Sequence, residues 1–308
     1  MLLAKSEGVF ERLACVDQLA ALVGQVFPLI SLDDRRLERS GGDHDLLIVD
    51  ESFAFRFPRS GVHGLALEID VLRHLRRRSA VATPTYSHVD PAGRFGGYPL
   101  ISGSALTPAC FAVLPEDRRD GVLRAAAVFL SALHGLSPEV IAPVRQWPSM
   151  WTPAEFAHRG LTEFVPAIAE DLPDQARAAG AFYARYRELE LPPPVVVHGD
   201  LVYEHVLIDK DTLELTGIID FGDIALGDPA QDFLGFWAYG VDAAARAIDL
   251  YDPGGPDAGL IERSRHHFIR YCLDRLLENV DRGPSARHDL AAGIDELLAT
   301  DTFHNPRR

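Results

Sequence analysis

Lysine is almost missing from this chain of 308 residues: only Lys5 and Lys210 are lysines, and the rest of its 30 basic residues are arginines. A site that binds phosphate must therefore rely on arginine or on backbone amides. The basic residues are also outnumbered by 45 acidic ones, which gives a formal net charge of -15. Because nucleic acids are bound by basic surfaces, this charge argues against them as partners. It suits a cationic ligand, although an acidic surface also serves solubility alone.

Cysteines and long apolar runs are scarce as well. The three cysteines are far apart and show no C-x-x-C spacing, which argues against a disulfide framework and against a zinc site. No stretch approaches the roughly 18 apolar residues that a membrane-spanning helix needs. The first residues carry charges where a secretory signal needs an apolar core. We therefore expect a cytoplasmic protein without a membrane partner.

Apolar residues, at 47% of the chain, are sufficient for a sizeable core. Up to about residue 103, an amphipathic helix at 11–27 is followed by strand patterns at 46–49, 53–57 and 84–100, with one helical pattern from residue 65 among them. Helical periods then dominate at 153–171, 174–190, 231–250 and 260–280, around a strand-like stretch at 195–221. These patterns predict an α+β chain with two lobes: a small antiparallel sheet lobe with one internal helix, and a larger, mainly helical lobe.

One stretch interrupts a buried strand with polar residues. The sequence VVVHGDLVYEHVLID at 195–209 precedes an apolar run at 215–219, and the two predict a β-hairpin. A register that pairs Val206 with Ile219 sets His205 opposite Asp220, and Asp200 lies on the loop that leads in. We therefore expect the side chains of Asp200, His205 and Asp220 to face a common point.

Such a group suits phosphoryl transfer. Few protein ligands are enough for Mg²⁺, because water and substrate phosphates take its remaining positions. Asp200 would then accept the proton of an attacking hydroxyl. Each residue taken alone has a simpler interpretation, since histidines often pack in cores and aspartates often cap turns. The three residues together favour the catalytic interpretation.

Two segments resemble a known family. VVVHGDLVYEHVLID and LTGIIDFGDIALGDPAQDF are similar to the catalytic loop and the metal-binding segment of the aminoglycoside phosphotransferase family, whose bilobal fold is like that of protein kinases. By this resemblance Asp200 is the catalytic base, His205 and Asp220 hold Mg²⁺, and His198 and Asp228 brace the catalytic loop. Histidine at 205, where the family usually has asparagine, resembles the aminoglycoside 2''-phosphotransferases and the macrolide phosphotransferases. Because imidazole is a softer ligand than an amide oxygen, Mn²⁺ is an alternative metal.

The resemblance also implies a nucleotide site in the first lobe. Arg56 in FAFRFPRS matches the family's phosphate-binding lysine, and Glu68 in LALEIDVL matches the glutamate that holds it. The planar fork of arginine can bind phosphate too, although an exposed surface cation is the simpler interpretation of Arg56. The loop over the phosphates of ATP or GTP would be SGGDHD at 40–45, with Ser40, Gly41 and Gly42 as its nucleotide-binding residues, although two adjacent glycines alone are a weak signal.

The segment GYPLISGSAL at 97–106 resembles the family's hinge. The nucleobase would there bond the Pro99 carbonyl and the Ile101 N–H. This implies a nucleotide-binding lobe at 1–103, with the hinge at 99–103, and a catalytic and acceptor-binding lobe at 104–308.

The acceptor is less well determined. The resemblance and the acidic charge favour an aminoglycoside, whose many amines need carboxylate partners. A macrolide is an alternative because aromatic residues at 233–239 suit an apolar cleft, although their spacing is also typical of a helix core. Another small metabolite, a protein substrate, and nucleotide binding without turnover are further alternatives. We nominate Glu204, Asp232 and Trp237 as acceptor contacts.

Overall fold

The computed structural model describes residues 15–38, 44–58, 63–142, 147–252, 254, 257–278 and 284–299. Of the predicted phosphate loop, residues 40–43 with Ser40, Gly41 and Gly42 lie outside these residues, whereas His44 and Asp45 belong to a strand. None of the helices in the described ranges combines the length and the apolar composition that crossing a membrane requires.

Five antiparallel strands form the sheet of the first lobe, in the order β1-β2-β3-β5-β4. Their bounds are Arg35–Glu38 (β1), His44–Val49 (β2), Phe53–Pro58 (β3), His88–Val89 (β4) and Gly96–Pro99 (β5). The strands predicted at 46–49 and 53–57 are confirmed as the β2-β3 hairpin. Strand β1 was not predicted, because Leu37 is its one apolar residue and an alternating pattern cannot form.

The two faces of this sheet have different partners. Phe55 points to the face that packs against helix α1 (Val16–Val26), where it belongs to an aromatic core. Arg56, the next residue, points to the opposite face because side chains alternate along a strand. Helix α2 (His63–Leu75) lies on that side, since its Glu68 contacts Arg56. The alternation thus separates the packing face from the face that carries the charged group.

The second lobe is mainly helical. Its helices are Pro108–Val113 (α3), Glu116–His134 (α4), Pro138–Ile141 (α5), Pro153–Arg159 (α6), Val165–Ile168 (α7), Pro173–Tyr186 (α8), Val241–Leu250 (α9), Leu260–Leu277 (α10) and Pro284–Ala299 (α11). Two small antiparallel sheets have the orders β6-β8-β9 and β10-β7. Their strands are Ser104–Ala105 (β6), Val195–Val197 (β7), Val206–Ile208 (β8), Leu215–Ile218 (β9) and Ala225–Gly227 (β10).

Two apolar clusters hold the second lobe together. The larger one includes α4, strands β7 to β9 and the inner side of α2, so it also joins the two lobes. The smaller one forms between α8, α10 and α11. With the small sheet lobe in place, the predicted bilobal α+β fold is confirmed.

Two predicted helices are interrupted in the structure. Within 153–171, a π-helical turn at Gly160–Phe164 separates α6 from α7. A Cβ on Gly160 would lie 2.4 Å from the ring of Tyr183, so the glycine allows this close approach. Within 231–250, a 3₁₀ helix at Pro229–Tyr239 precedes α9, and Gly240 between them has a φ of 107°. Helix α11 was not predicted.

Candidate active site

The catalytic loop runs from His198 to His205 between β7 and β8. Gly199 has a φ of 88°, and a Cβ at this position would lie 2.3 Å from the carbonyl oxygen of Asp223. Only glycine adopts this conformation readily and leaves this space. The loop therefore packs directly on the segment that follows Asp220, which brings the two polar stretches of the sequence together.

The three residues that we expected to meet do lie together. His205 Nδ1 donates to the backbone carbonyl of Asp200 at 2.7 Å and is 3.8 Å from Asp200 Oδ2. Because Nδ1 carries the proton, Nε2 has the free lone pair, and it faces Asp220 Oδ2 at 3.5 Å. A lone pair that faces a carboxylate oxygen at this distance is a suitable arrangement for a cation between them.

This pair fits a metal that is shared with a substrate. Among the described residues, no group of three or more His, Cys, Asp or Glu side chains is arranged to hold a metal ion. His205 and Asp220 could supply two ligand atoms, which would suit a Mg²⁺ site completed by phosphates and water. The side chain of Asp220 is 40% exposed, so it is open to the cleft.

The predicted register of the hairpin is wrong by one residue. Val206 pairs with Ile218, and not with Ile219, and the ladder is irregular after Leu207. Asp220 has a left-handed conformation, with φ 64° and ψ 66°. This turn points the Asp220 side chain back toward His205, so the two groups meet although they are not opposite each other in the ladder. The sequence gives no signal for this conformation, because aspartate adopts it only occasionally.

Arg56 is the centre of a buried charged cluster. It is 3% exposed, which excludes the interpretation as a surface cation. Its guanidinium donates to Glu68 Oε2 and to Asp220 Oδ1, and its Nη2 lies 3.1 Å from His44 Nδ1. Tyr86 donates to the other oxygen of Glu68 at 2.9 Å. The cluster therefore links strand β3, helix α2 and the metal-binding segment.

The pKa values of the two carboxylates in this cluster, Glu68 and Asp220, shift in opposite directions. Burial raises the pKa of Glu68, although Arg56 and the Tyr86 hydroxyl counteract it. For Asp220, burial also opposes ionisation, but the positive charge of Arg56 and the neighbouring histidines hold its pKa below the usual value. Asp220 is therefore an anion in the pH range where phosphoryl transfer takes place, as a metal ligand must be.

A second carboxylate, Asp232, holds the catalytic loop. Its Oδ2 accepts from the backbone N–H of His198 at 2.8 Å, and its Oδ1 accepts from Gly199 N–H at 3.0 Å. His134 Nε2 contacts the same carboxylate at 2.9 Å. Asp232 is 0% exposed, so the prediction that it contacts the acceptor is wrong. Its two oxygens are both used by the loop.

The predicted role of Asp228 also needs correction. Its carboxylate accepts two bonds from Arg263, at 2.9 and 3.1 Å, and one from His267 at 3.0 Å. Both partners lie on α10, so Asp228 anchors this helix and not the catalytic loop. His198 does reach the metal-binding segment, since its Nε2 donates to the Ile219 carbonyl at 3.0 Å. Burial lowers the pKa of His198, which keeps this ring neutral.

A cavity of about 590 Å³ opens beside the catalytic loop. Glu204 lines it, together with Tyr203, residues of the 3₁₀ helix and residues of α10 and α11. Gly235 belongs to this wall, and a Cβ on it would lie 2.3 Å from the carbonyl oxygen of Leu201. Trp237 instead donates to Ser264 Oγ at 3.1 Å, and its part in acceptor binding stays a prediction.

The predicted hinge lies at the end of β5. Pro99 is exposed and pairs with Phe53, and Leu100 N–H donates to the Ser52 carbonyl at 2.8 Å. Ile101 packs against Gly217, where a Cβ would lie 2.5 Å from its side chain. The chain then enters β6, which pairs with β8 next to the catalytic loop. The nucleobase contacts assigned to Pro99 and Ile101 remain a prediction.

The contacts of three residues around the site were not foreseen. His44 and Tyr86 bond members of the charged cluster around Arg56, and His134 bonds Asp232. Their partners lie 12, 18 and 98 residues away. No local sequence pattern indicates these three contacts.

Residues 36–259 match the model of a phosphotransferase enzyme family. The chain belongs to this family. The match covers most of the first lobe, the catalytic loop, the metal-binding segment and the start of the helices that follow. It confirms the family predicted from the two motifs, and it confirms that this phosphotransferase is a kinase-type enzyme.

Two curated relatives are aminoglycoside 3'-phosphotransferases. The protein from Streptomyces fradiae is 29% identical over 228 residues, which is 71% of this chain and 78% of that protein. The protein from Escherichia coli is 30% identical over 144 residues, or 45% of this chain and 51% of that protein. The similarity to the Streptomyces protein thus extends over most of both chains.

Two solved structures share the fold. APH(2'')-IIIa, solved with GDP and kanamycin, has a TM-score of 0.74 and 25% identity, over 92% of this chain and 99% of that one. The macrolide 2'-phosphotransferase MphH from Brachybacterium faecium has a TM-score of 0.60 and 22% identity, over 91% of this chain and 98% of that one. These likenesses confirm the kinase-like bilobal fold.

Proposed function

We propose that this enzyme transfers the γ-phosphoryl group of ATP or GTP to a hydroxyl of a small-molecule antibiotic, with an aminoglycoside as the first candidate. One observation carries the proposal: Asp200, His205 and Asp220 lie together, Asp220 contacts the buried Arg56 that pairs with Glu68, and a cavity opens along residues 202–204 of the same loop. The relatives named as aminoglycoside phosphotransferases support the choice of acceptor. Arg56 takes the nucleotide side of this arrangement, and the cavity takes the acceptor side.

Asp200 is assigned the role of general base. Its side chain is 37% exposed, so an acceptor hydroxyl can reach it. Its backbone carbonyl fixes the tautomer of His205, and its own N–H is 3.3 Å from His198 Nδ1. These contacts hold the residue in place and leave its carboxylate oriented by the loop, where it accepts the proton of the attacking hydroxyl.

His205 and Asp220 would hold Mg²⁺, or Mn²⁺ as an alternative because of the imidazole. The metal supplies charge neutralisation for the phosphates when it is bound. Arg56 binds the phosphates from the other side through its fork. Glu68, 3% exposed and bonded to Tyr86, keeps Arg56 directed at the cleft. The metal and Arg56 would together stabilise the negative charge of the phosphoryl group during its transfer.

The remaining nucleotide contacts follow from the predicted hinge. We assign the nucleobase to the Pro99 carbonyl and the Ile101 N–H, and we divide the lobes at 1–103 and 104–308. The phosphate loop is assigned to residues 40–42. We expect the enzyme to act in the cytoplasm, because nucleoside triphosphates are available there.

The wall of the cavity favours a macrolide as the second candidate. Apolar side chains supply much of this wall, among them Leu234, Phe268, Leu276 and Leu297. Glu204 and Glu296 also line it, together with Arg275. An aminoglycoside would bond the carboxylates through its amines, whereas a macrolide would cover the apolar side chains with its ring.

A substrate panel tests the proposal. The purified enzyme is incubated with Mg²⁺, ATP or GTP, and individual aminoglycosides or macrolides, and acceptors are analysed for the mass gain of one phosphate. Asp200→Asn is the control, with turnover expected to fall by roughly 10² to 10⁴ while nucleotide binding persists. Nucleotide binding without phosphorylation of any acceptor would support a protein without turnover. Full activity of the Asp200→Asn enzyme would remove Asp200 from its role.

A further inference from the structure

To bind phosphate through two bonds, the Arg56 side chain must be oriented at both ends of its guanidinium, which a lysine at this position would not require. Its Nη1 donates to Glu68, while its Nη2 is shared between Asp220 Oδ1 and His44 Nδ1. A lysine ammonium is a single point on a flexible stem, so one carboxylate and one phosphate can orient it. A guanidinium is a planar fork, and both of its ends must be directed before it can bind phosphate with two parallel bonds.

The strand register brings His44 to this fork. Leu46 of β2 pairs with Arg56 of β3, and His44 pairs with Pro58. Residues two apart on a strand point to the same face, so His44 and Arg56 share the face that looks toward the second lobe. His44 lies diagonally across from Arg56, a distance that long side chains can bridge.

Gly222 of the metal-binding segment lies against both side chains. A Cβ on Gly222 would be 2.6 Å from Arg56 Nη2 and 2.8 Å from His44 Cε1. The backbone of this segment therefore packs against the pair, and a larger residue would displace it. The imidazole and the guanidinium are held between the sheet and the residues next to Asp220.

The direction of the hydrogen bond is fixed by the chemistry of the two groups. A guanidinium has five N–H donors and no acceptor. His44 Nδ1, 3.1 Å from Arg56 Nη2, therefore accepts, and the ring proton lies on Nε2. When a metal binds the oxygens of Asp220, the hydrogen bond from Arg56 Nη2 to His44 Nδ1 would still orient this end of the guanidinium.

We propose that His44 is a positioning residue that fixes the Arg56 fork for the nucleotide phosphates. This inference rests on the proposed function, because it assumes that Arg56 binds a nucleotide. It also explains how an arginine can work where the family has a lysine. The inference predicts that replacing His44 weakens nucleotide binding only while residue 56 is an arginine.

The test measures binding of Mg²⁺ with GDP and with ADP by calorimetry, without an acceptor. His44→Leu removes the acceptor atom, and we expect about tenfold weaker binding, in the range of one lost bond to a charged group. His44→Asn, which places an oxygen near the position of Nδ1, should bind within about threefold of wild type. His158→Leu changes an exposed histidine of α6 and is the matched control, with unchanged affinity expected. His44→Phe replaces the leucine variant if that protein does not fold.

A second background separates positioning from a direct or structural role. In an Arg56→Lys enzyme, His44→Leu should change the affinity by less than about twofold, because no fork remains to be directed. An equal tenfold loss in both backgrounds, wild-type affinity of His44→Leu, or equally weak binding of the asparagine and leucine variants would overturn the proposal. Absence of nucleotide binding by the wild type would overturn the proposed function together with this inference. Nitrogen NMR adds a test without mutation: an unprotonated Nδ1 on His44 is expected, and a proton on that atom would contradict the proposed bond.

Discussion

Two buried arginines in this molecule have the same kinds of partner but different surroundings. Arg56 contacts Glu68, Asp220 and His44, and Arg263 contacts Asp228 and Asp257, with His267 bonded to Asp228. Each group contains one arginine, two carboxylates and one histidine. We call them the cleft cluster and the helix cluster.

The clusters differ in the exposure of one carboxylate that the arginine contacts, which is Asp220 in the cleft cluster and Asp228 in the helix cluster. In the cleft cluster the Asp220 side chain is 40% exposed and also faces His205. In the helix cluster Asp228 is buried, and its oxygens are taken by Arg263, His267 and the N–H of Ala230. On the proposed function, the same chemical groups would contact substrate in the cleft cluster, whereas they anchor a helix in the helix cluster. The position of a carboxylate relative to the cleft, and not its partners alone, decides which role it has.

The largest expected effect is on stability, from Asp228→Ala. The substitution leaves Arg263 and His267 without their shared partner in the interior, which should lower the free energy of unfolding by about 3–5 kcal/mol. Chemical denaturation of wild type and variant measures the difference. Asp257→Ala is a control at the rim of the same cluster, where a smaller loss is expected because Asp257 is partly exposed. Equal losses at the two positions would contradict the central role of Asp228.

The next effect is on activity, from Asp220→Ala in the cleft cluster. Turnover should fall by at least about 10², because the variant lacks an electrostatic contact at the reacting phosphates. The free energy of unfolding should change by less than about 1 kcal/mol, since the side chain is partly exposed and Arg56 keeps Glu68 and His44. Initial rates and denaturation curves are measured on the same protein. Strong destabilisation would show that the cleft cluster is an anchor like the other one.

The stabilisation that the helix cluster provides should be lost over a defined range of acidic pH. Although burial opposes ionisation, hydrogen bonds from His267 and Arg263 lower the pKa of Asp228 from 3.8 to about 2. A lowered pKa means that the stabilisation is complete above pH 3.8 and is lost as the pH falls toward 2. The contribution is on the order of 2 kcal/mol. Denaturation between pH 5 and 2 should therefore show a flatter dependence for Asp228→Asn than for wild type, and parallel curves would contradict the assignment.

The smallest effect is expected from His205→Asn. Both side chains offer one neutral ligand atom, so activity with Mg²⁺ should stay within about tenfold of wild type. The ratio of activity with Mn²⁺ to activity with Mg²⁺ should fall, because an amide oxygen is a harder ligand than imidazole. Rates are compared at saturating metal. A complete loss of metal-dependent activity would contradict the role of His205.

The candidate active site, which includes the cleft cluster, could be predicted from the sequence only in part. Asp200, His205 and Asp220 lie within a short stretch, and a hairpin was enough to bring them together, even with a register that was one residue wrong. The contact of Arg56 with Asp220 spans 164 residues, and no local pattern indicates it. The left-handed turn at Asp220 depends on the packing of the segment and not on its residue type.

Asp228 and Asp232, near the end of the metal-binding segment, show a different limit of prediction from sequence. Asp228 and Asp232 are four residues apart, which would place them on one face of an α-helix. Asp228 instead has an extended backbone and caps the 3₁₀ helix at Pro229–Tyr239 that contains Asp232, so the two side chains point to different partners. The sequence reveals that both carry charge in an apolar stretch. Which one holds the catalytic loop is determined by His134 and the loop amides, which only the fold brings near.

Gly235 connects the cavity with the chemistry in a way that matters for inhibition. Its backbone lies against the carbonyl of Leu201, one residue after the proposed general base Asp200, and Gly235 also lines the cavity. A compound that presses on this wall would shift the loop that carries Asp200 without resembling a nucleotide. On the proposed assignment of the cavity to the acceptor, such a compound would inhibit phosphorylation from the acceptor side, because it would contact backbone that no side chain covers.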